Sequence, residues 1–171
     1  RWIADAMNLE ERTSMTSGSC LCGSVRWQLD ARPEFINHCH CQMCRKASGA
    51  AFGSFAHGDG LRFRWVQGHS IVTLYQSSPG NFRNFCSKCG SRVPVLEADG
   101  TEVIIPAGTF DDDPAVRPIV HFHVESMAPW YEITDTLPQF SKFPPDSFWT
   151  EVLSESAGRA DGDHSEEPPK N

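Results

Sequence analysis

At 171 residues, with 39% hydrophobic and 22% charged residues, the chain has the size and balance of one globular domain with tails, and a second full domain does not fit. No apolar run approaches the roughly 20 residues that span a bilayer. The formal charge of −7 is concentrated at the C-terminus, where residues 146–171 carry seven acids against two bases; the remainder is nearly neutral and lacks the basic excess that drives nucleic-acid binding.

The opening "RWIADAMNLEERTS" has neither the basic-then-apolar order of a secretory signal nor the Arg-rich, acid-poor character of a transit peptide. Residues 1–15 are therefore set apart as a leader or alternative start, with Met15 as the candidate initiator, and a cytoplasmic location is expected. From Ser24 the chain alternates with period two: Val25, Trp27 and Leu29; Leu61, Phe63 and Trp65; Ile71 to Tyr75; Val93 and Val95; Val103 to Ile105; Val120, Phe122 and Val124. Turn chemistry separates these runs at "HGDG", "SSPGN", "EADG" and "TFDDDP". The expectation is a mainly β domain over residues 16–145 with only short helices. The best helix starts near Gln42 and runs through "QMCRKA". His121 and His123 alternate with the apolar set and read as polar strand residues on the opposite face, and Trp130 reads as core packing. Residues 146–171 read as an acidic, mostly disordered tail in which Phe148 and Trp149 either dock on the body or serve a protein partner, with docking preferred.

The seven cysteines fall into three groups: Cys20 and Cys22 in "CLCG", Cys39, Cys41 and Cys44 in "CHCQMC", and Cys86 and Cys89 in "CSKCG". Thiolates two or three positions apart can grip one Zn²⁺ at about 2.3 Å, and a glycine after the second cysteine frees the turn. An odd total argues against a disulfide framework. A closed tetrahedral site needs four ligands, which Cys20, Cys22, Cys86 and Cys89 supply while clipping the start of the chain to its middle. The remaining Cys39, Cys41 and Cys44 form a tridentate set that leaves the fourth position open. Two alternatives stay beside that reading: closure by His38, His40 or His57, or plain reduced thiols. An iron–sulfur cluster fits less well, because seven ligands leave one cluster short.

The segments "GSCLCGSVRW", "HCHCQMCRKASGAAFG", "FRNFCSKCGSRV" and "HFHVESMAPWYEITDTLPQF" resemble the glutathione-dependent formaldehyde-activating enzyme family, also called centromere-protein-V-like, from about Gly18 to Phe140. The resemblance implies a β-tent of short twisted antiparallel sheets with a structural zinc on Cys20, Cys22, Cys86 and Cys89 and a second on Cys39, Cys41 and Cys44. It also implies formation or cleavage of S-(hydroxymethyl)glutathione, a carbon–sulfur lyase reaction with glutathione as co-substrate. The leader, the acidic tail and "DDD" at 111–113 depart from the family pattern without touching a metal motif.

The reaction needs a thiolate, since the thiolate and not the thiol attacks an aldehyde carbon. Arg45 and Lys46, directly behind the cysteines, are the expected partners of the glutathione carboxylates, with Arg83 or Arg92 as further candidates if the Cys86/Cys89 loop packs nearby. His40, with His38 beside it, is the expected proton carrier by nearness to the cluster. The competing reading is a zinc-stabilised interaction module or a zinc-handling protein without catalysis.

Overall fold

The computed structural model describes residues 15–158. Among the described residues ten strands form three small sheets, and none closes into a barrel. In the first sheet β1 (Thr16–Ser19), β2 (Arg26–Leu29) and β5 (Phe63–Gln67) pair antiparallel in the order β1-β2-β5. The second has five strands in the order β10-β3-β4-β9-β8, built from β3 (Phe35–Cys39), β4 (Gly53–Asp59), β8 (Val95–Leu96), β9 (Glu102–Pro106) and β10 (Pro118–Phe122). β10 runs parallel to β3, and the other pairs are antiparallel. β6 (Val72–Ser78) and β7 (Asn81–Cys86) form a separate hairpin.

The apolar alternation of β2 turns Trp27 and Leu29 inward, where they meet Ile36, Ala56, Val103 and Ile105 of the five-stranded sheet. This is the main core. A second cluster joins Cys20, Cys86, Val25 and Val93 at the foot of the hairpin, and a third places Cys39 and Cys44 on Phe55. The molecule thus has a packing core flanked by two cores that are partly made of sulfur.

The short helix α1 (Gln42–Ser48) lies where expected. Cys41 caps it, its Sγ accepting from the N–H of Cys44 at 3.3 Å, and Gly49 ends it by donating to the Arg45 carbonyl. A second helix, α2 (Asp146–Gly158), occupies the start of the stretch whose composition suggests a disordered tail. The docking of its aromatics explains the difference. Trp149 packs on Phe35 with ring centroids 4.8 Å apart and on Phe122 at 5.8 Å, and Phe148 packs on Phe140 at 5.1 Å. Trp149→Ala is expected to lower stability by about 1–3 kcal/mol, read as a fall in melting temperature. Residues 159–171 and the proposed leader up to Ser14 lie outside the described residues.

Two other expectations are corrected. Trp130 is 71% exposed, so it does not fill the core. His121 is fully buried between Val120 and Phe122, because β10 is covered on both faces, and His123 lies beyond the strand in a left-handed turn at φ 56°. No helix among the described residues is long and apolar enough to cross a membrane.

Candidate metal centre and adjoining cavity

The first cysteine group follows β1, where the chain turns back into β2, and Gly23 donates to the Cys20 carbonyl at 2.8 Å. The third group follows β7 with the same arrangement: Gly90 donates to the Cys86 carbonyl at 2.8 Å. Both glycines have positive φ, 70° and 75°, which is the freedom expected of a glycine after the second cysteine. The turns bring Sγ atoms of Cys20, Cys22, Cys86 and Cys89 within 4.8 Å of one another. Cys20 and Cys22 are 3.5 Å apart and Cys22 and Cys86 3.9 Å, so no disulfide joins them. Four sulfurs at tetrahedral zinc distances sit about 3.8 Å apart, so this set fits such an ion. The N–H of Val25 donates to Cys20 Sγ at 3.3 Å, a bond of the kind that supports a thiolate ligand.

Cys39 ends β3, Cys41 caps α1 and Cys44 lies one turn into it, and their sulfurs also converge within 4.8 Å. No histidine belongs to this group among the described residues. The Cys39 thiol donates to Cys41 and holds it far below the ordinary thiol range, while the same hydrogen bond drives Cys39 far above it. The three sulfurs share protons in a space where a cation would replace them, which again fits a thiolate-bound metal.

These sulfurs line a cavity of about 360 Å³ whose wall includes Phe55, His57, Arg83, Arg92 and His123. Arg83 comes from β7, and its Nη1 reaches Cys44 Sγ at 3.6 Å. Arg92 lies over the Phe55 ring at 5.0 Å, with Nε and Nη1 buried and without an acceptor among the described residues. Burial first, and then the neighbouring Arg83, push its pKa down. Among the described residues neither arginine has a carboxylate partner.

The cations next to the cysteines in sequence are placed differently. Arg45 is spent on backbone carbonyls, its Nε donating to His40 O at 3.2 Å and its Nη2 to Ser126 O at 3.1 Å. Lys46 is exposed on α1 and lines a second cavity, beyond Arg83 and Arg92.

His40 is not in the wall of the sulfur-lined cavity either. It is fully buried, its Nε2 2.8 Å from His121 Nδ1, and His121 Nε2 meets both oxygens of Asp135 at 3.1 Å. His40, His121 and Asp135 thus form one hydrogen-bonded chain, and the buried His40 Nδ1 has no hydrogen-bond partner among the described residues. Burial and the facing His121 push both His38 and His40 down to about 4, so both are neutral at pH 7. The imidazoles that reach the cavity are instead His57 and His123. His57 is tied at Nδ1 to Glu102 at 2.5 Å and at Nε2 to Asn37 at 2.8 Å, whereas the His123 ring has no hydrogen-bond partner among the described residues. The signal for His123 is its left-handed backbone, which is uncommon for a residue with a Cβ and invisible in the sequence.

A family model described as glutathione-dependent formaldehyde-activating enzyme matches residues 15–126. A Halomonas elongata protein provisionally named a glutathione-dependent formaldehyde-activating enzyme is 33% identical over 129 residues, which are 70% of this chain and 81% of that protein. The crystal structure of a Rhodobacter sphaeroides protein, a structural-genomics target, superposes with a TM-score of 0.46 and 22% identity over 60% of this chain and 97% of that one.

Proposed function

The chain belongs to the glutathione-dependent formaldehyde-activating enzyme family, and from that premise we propose that it forms or cleaves glutathione–aldehyde adducts such as S-(hydroxymethyl)glutathione, a carbon–sulfur lyase reaction. The observation that carries this reading is one cavity lined both by three converging cysteine sulfurs and by two arginines that lack carboxylate partners. Cys20, Cys22, Cys86 and Cys89 would hold a structural zinc, and Cys39, Cys41 and Cys44 a second one with an open position. When bound at the three-cysteine site, zinc supplies a fourth coordination position that keeps a substrate sulfur deprotonated near neutral pH.

In the forward direction the glutathione thiolate attacks the aldehyde carbon, the C–S bond forms, and the carbonyl π pair moves to oxygen, which takes a proton. Cleavage reverses each of these changes. The chain's own residues hold the reactants. Arg83 and Arg92 face the cavity as fixed guanidiniums able to pair with a carboxylate, and Phe55 under Arg92 keeps that fork in place. His123 is the unpaired imidazole at the cavity that can pass the proton between the hydroxymethyl oxygen and water. Arg45 and His40 are given supporting roles: they order the loop and helix that carry the three cysteines.

The adduct also forms spontaneously, so the test is exchange NMR of glutathione with formaldehyde, with and without metal-loaded protein. The loaded protein is expected to speed exchange at least about tenfold above background, and Cys41→Ser to return it to background. Equal exchange rates with and without the wild-type protein would remove the enzyme reading and leave the β body as a binding module.

A further inference from the structure

Arg83 and Arg92 also form part of the wall of a second cavity, of about 430 Å³, on the far side of α1. Helix geometry divides the two: Cys41 and Cys44 line only the first, Lys46 and Ala47 only the second, and Met43 lies at the edge of both. The charge of the two walls differs. The sulfur-lined cavity includes Glu97; the second includes Lys46, Arg83 and Arg92 and no Asp or Glu. Asn84, only 7% exposed, lines it as well, with Nδ2 bonded to Pro94 O at 2.9 Å and a buried Oδ1 that finds no donor among the described residues. Three cations in a wall that holds no carboxylate, beside a buried acceptor without a donor among the described residues, describe a place for a carboxylate next to an amide N–H.

We propose that the second cavity is the subsite for the glycyl carboxylate of a glutathione-type thiol, with Lys46 as a specificity residue; this inference rests on the glutathione reading above. Glutathione has two carboxylates, and they differ in their neighbours. The glutamyl carboxylate carries an ammonium beside it, which would meet only cations in the second cavity but finds Glu97 in the first. The glycyl carboxylate has no ammonium, and the peptide N–H beside it is the donor that Asn84 Oδ1 lacks. Because Arg83 and Arg92 belong to both walls, one ligand can keep its sulfur at the three cysteines while its glycyl end crosses the arginines. Lys46 then reads charge at the far end of the ligand, remote from the reacting sulfur. The protein selects thiols that present a carboxylate there over those in which it is esterified.

Calorimetric titration of the metal-loaded full chain with glutathione and with its glycyl monoethyl ester tests this, in wild type and in Lys46→Ala. Wild type is expected to bind the ester about tenfold more weakly than glutathione, and Lys46→Ala to bind the two within about twofold of each other. Lys46 is exposed, so the substitution leaves packing and cysteine geometry intact. A wild type that binds both ligands equally, or a preference that survives in Lys46→Ala, overturns the subsite and leaves the glutathione reading standing. A wild type that binds neither ligand overturns both.

Discussion

Cys86→Ala is expected to unfold the body of the protein, whereas Cys41→Ser removes one metal equivalent and leaves the fold standing. Cys86 is completely buried and forms a core cluster with Cys20, Val25 and Val93. That cluster is too small to hold the β1–β2 turn against the end of β7 by apolar burial alone. A structural zinc on four thiolates contributes about 10–16 kcal/mol in small domains, as much as or more than the entire 5–15 kcal/mol stability of a typical fold. Removing one of four ligands should therefore abolish the dispersed NMR spectrum and the cooperative melting transition together. The three-cysteine group differs because β3 is already anchored in the five-stranded sheet, between β10 and β4, before its sulfurs are counted. A folded Cys86→Ala protein with one zinc fewer would refute the assignment of a structural clip.

The cysteine partition is legible in the sequence because chelation is local: two thiols within three residues reach one ion whatever the rest of the chain does. The cations that line the sulfur-bearing cavity are not legible in that way. Arg45 and Lys46 stand next to the cysteines in sequence, but a helix rotates successive residues by about 100°, so neighbours point in different directions. Arg45 turns back onto the carbonyls of His40 and Ser126, and Lys46 turns toward the second cavity. Arg83 and Arg92 are far away in sequence and line the sulfur-bearing cavity because the β6–β7 hairpin and the loop after it fold toward α1. Packing of the Cys86/Cys89 loop near the three-cysteine group, the condition on which these two arginines become candidates, is a tertiary fact.

Two strands of the five-stranded sheet, β9 and β10, announce themselves through runs of Val and Ile, as in "EVIIP" and "PIVHF". The two strands between them do not. β3 reads "FINHC" and β4 reads "GSFAHGD", with histidine, asparagine and glycine at positions that pattern reading assigns to loops. Their polar groups are satisfied sideways, Asn37 by His57 and His38 by Ser54, so residues that look like interruptions act as cross-strand bonds. His121 escapes the alternation rule for a related reason. Lying on a parallel pair covered on both faces, it needs a buried partner and finds His40.

Trp27→Ala is expected to cost about 3–5 kcal/mol, the largest loss among substitutions that touch no cysteine. Trp27 is 1% exposed and joins the two larger sheets: it packs with Leu29 against Ile36 and Ile105, and it meets Phe110 edge-on at 5.1 Å and Phe63 at 6.3 Å. Gly18 presses against its far side, where a Cβ would come within 2.1 Å of the indole, so the surrounding chain is cut to this ring and cannot collapse into the space it leaves. Trp27→Phe should cost much less than the alanine change. The indole N–H is buried and finds no acceptor among the described residues, so losing it with the second ring removes a desolvation penalty along with the packing. Melting the metal-loaded proteins side by side isolates the contribution of the retained ring, because both variants lose the N–H: a fall of about 2–4 °C per kcal/mol is expected, with alanine well below phenylalanine and both proteins keeping the wild-type metal content. Equal losses for the two variants would mean that the phenyl ring does not fill the place of the indole. Metal lost from Trp27→Ala would mean that the packing core and the sulfur-based cores fold as one unit, rather than as a frame to which the metal sites are added.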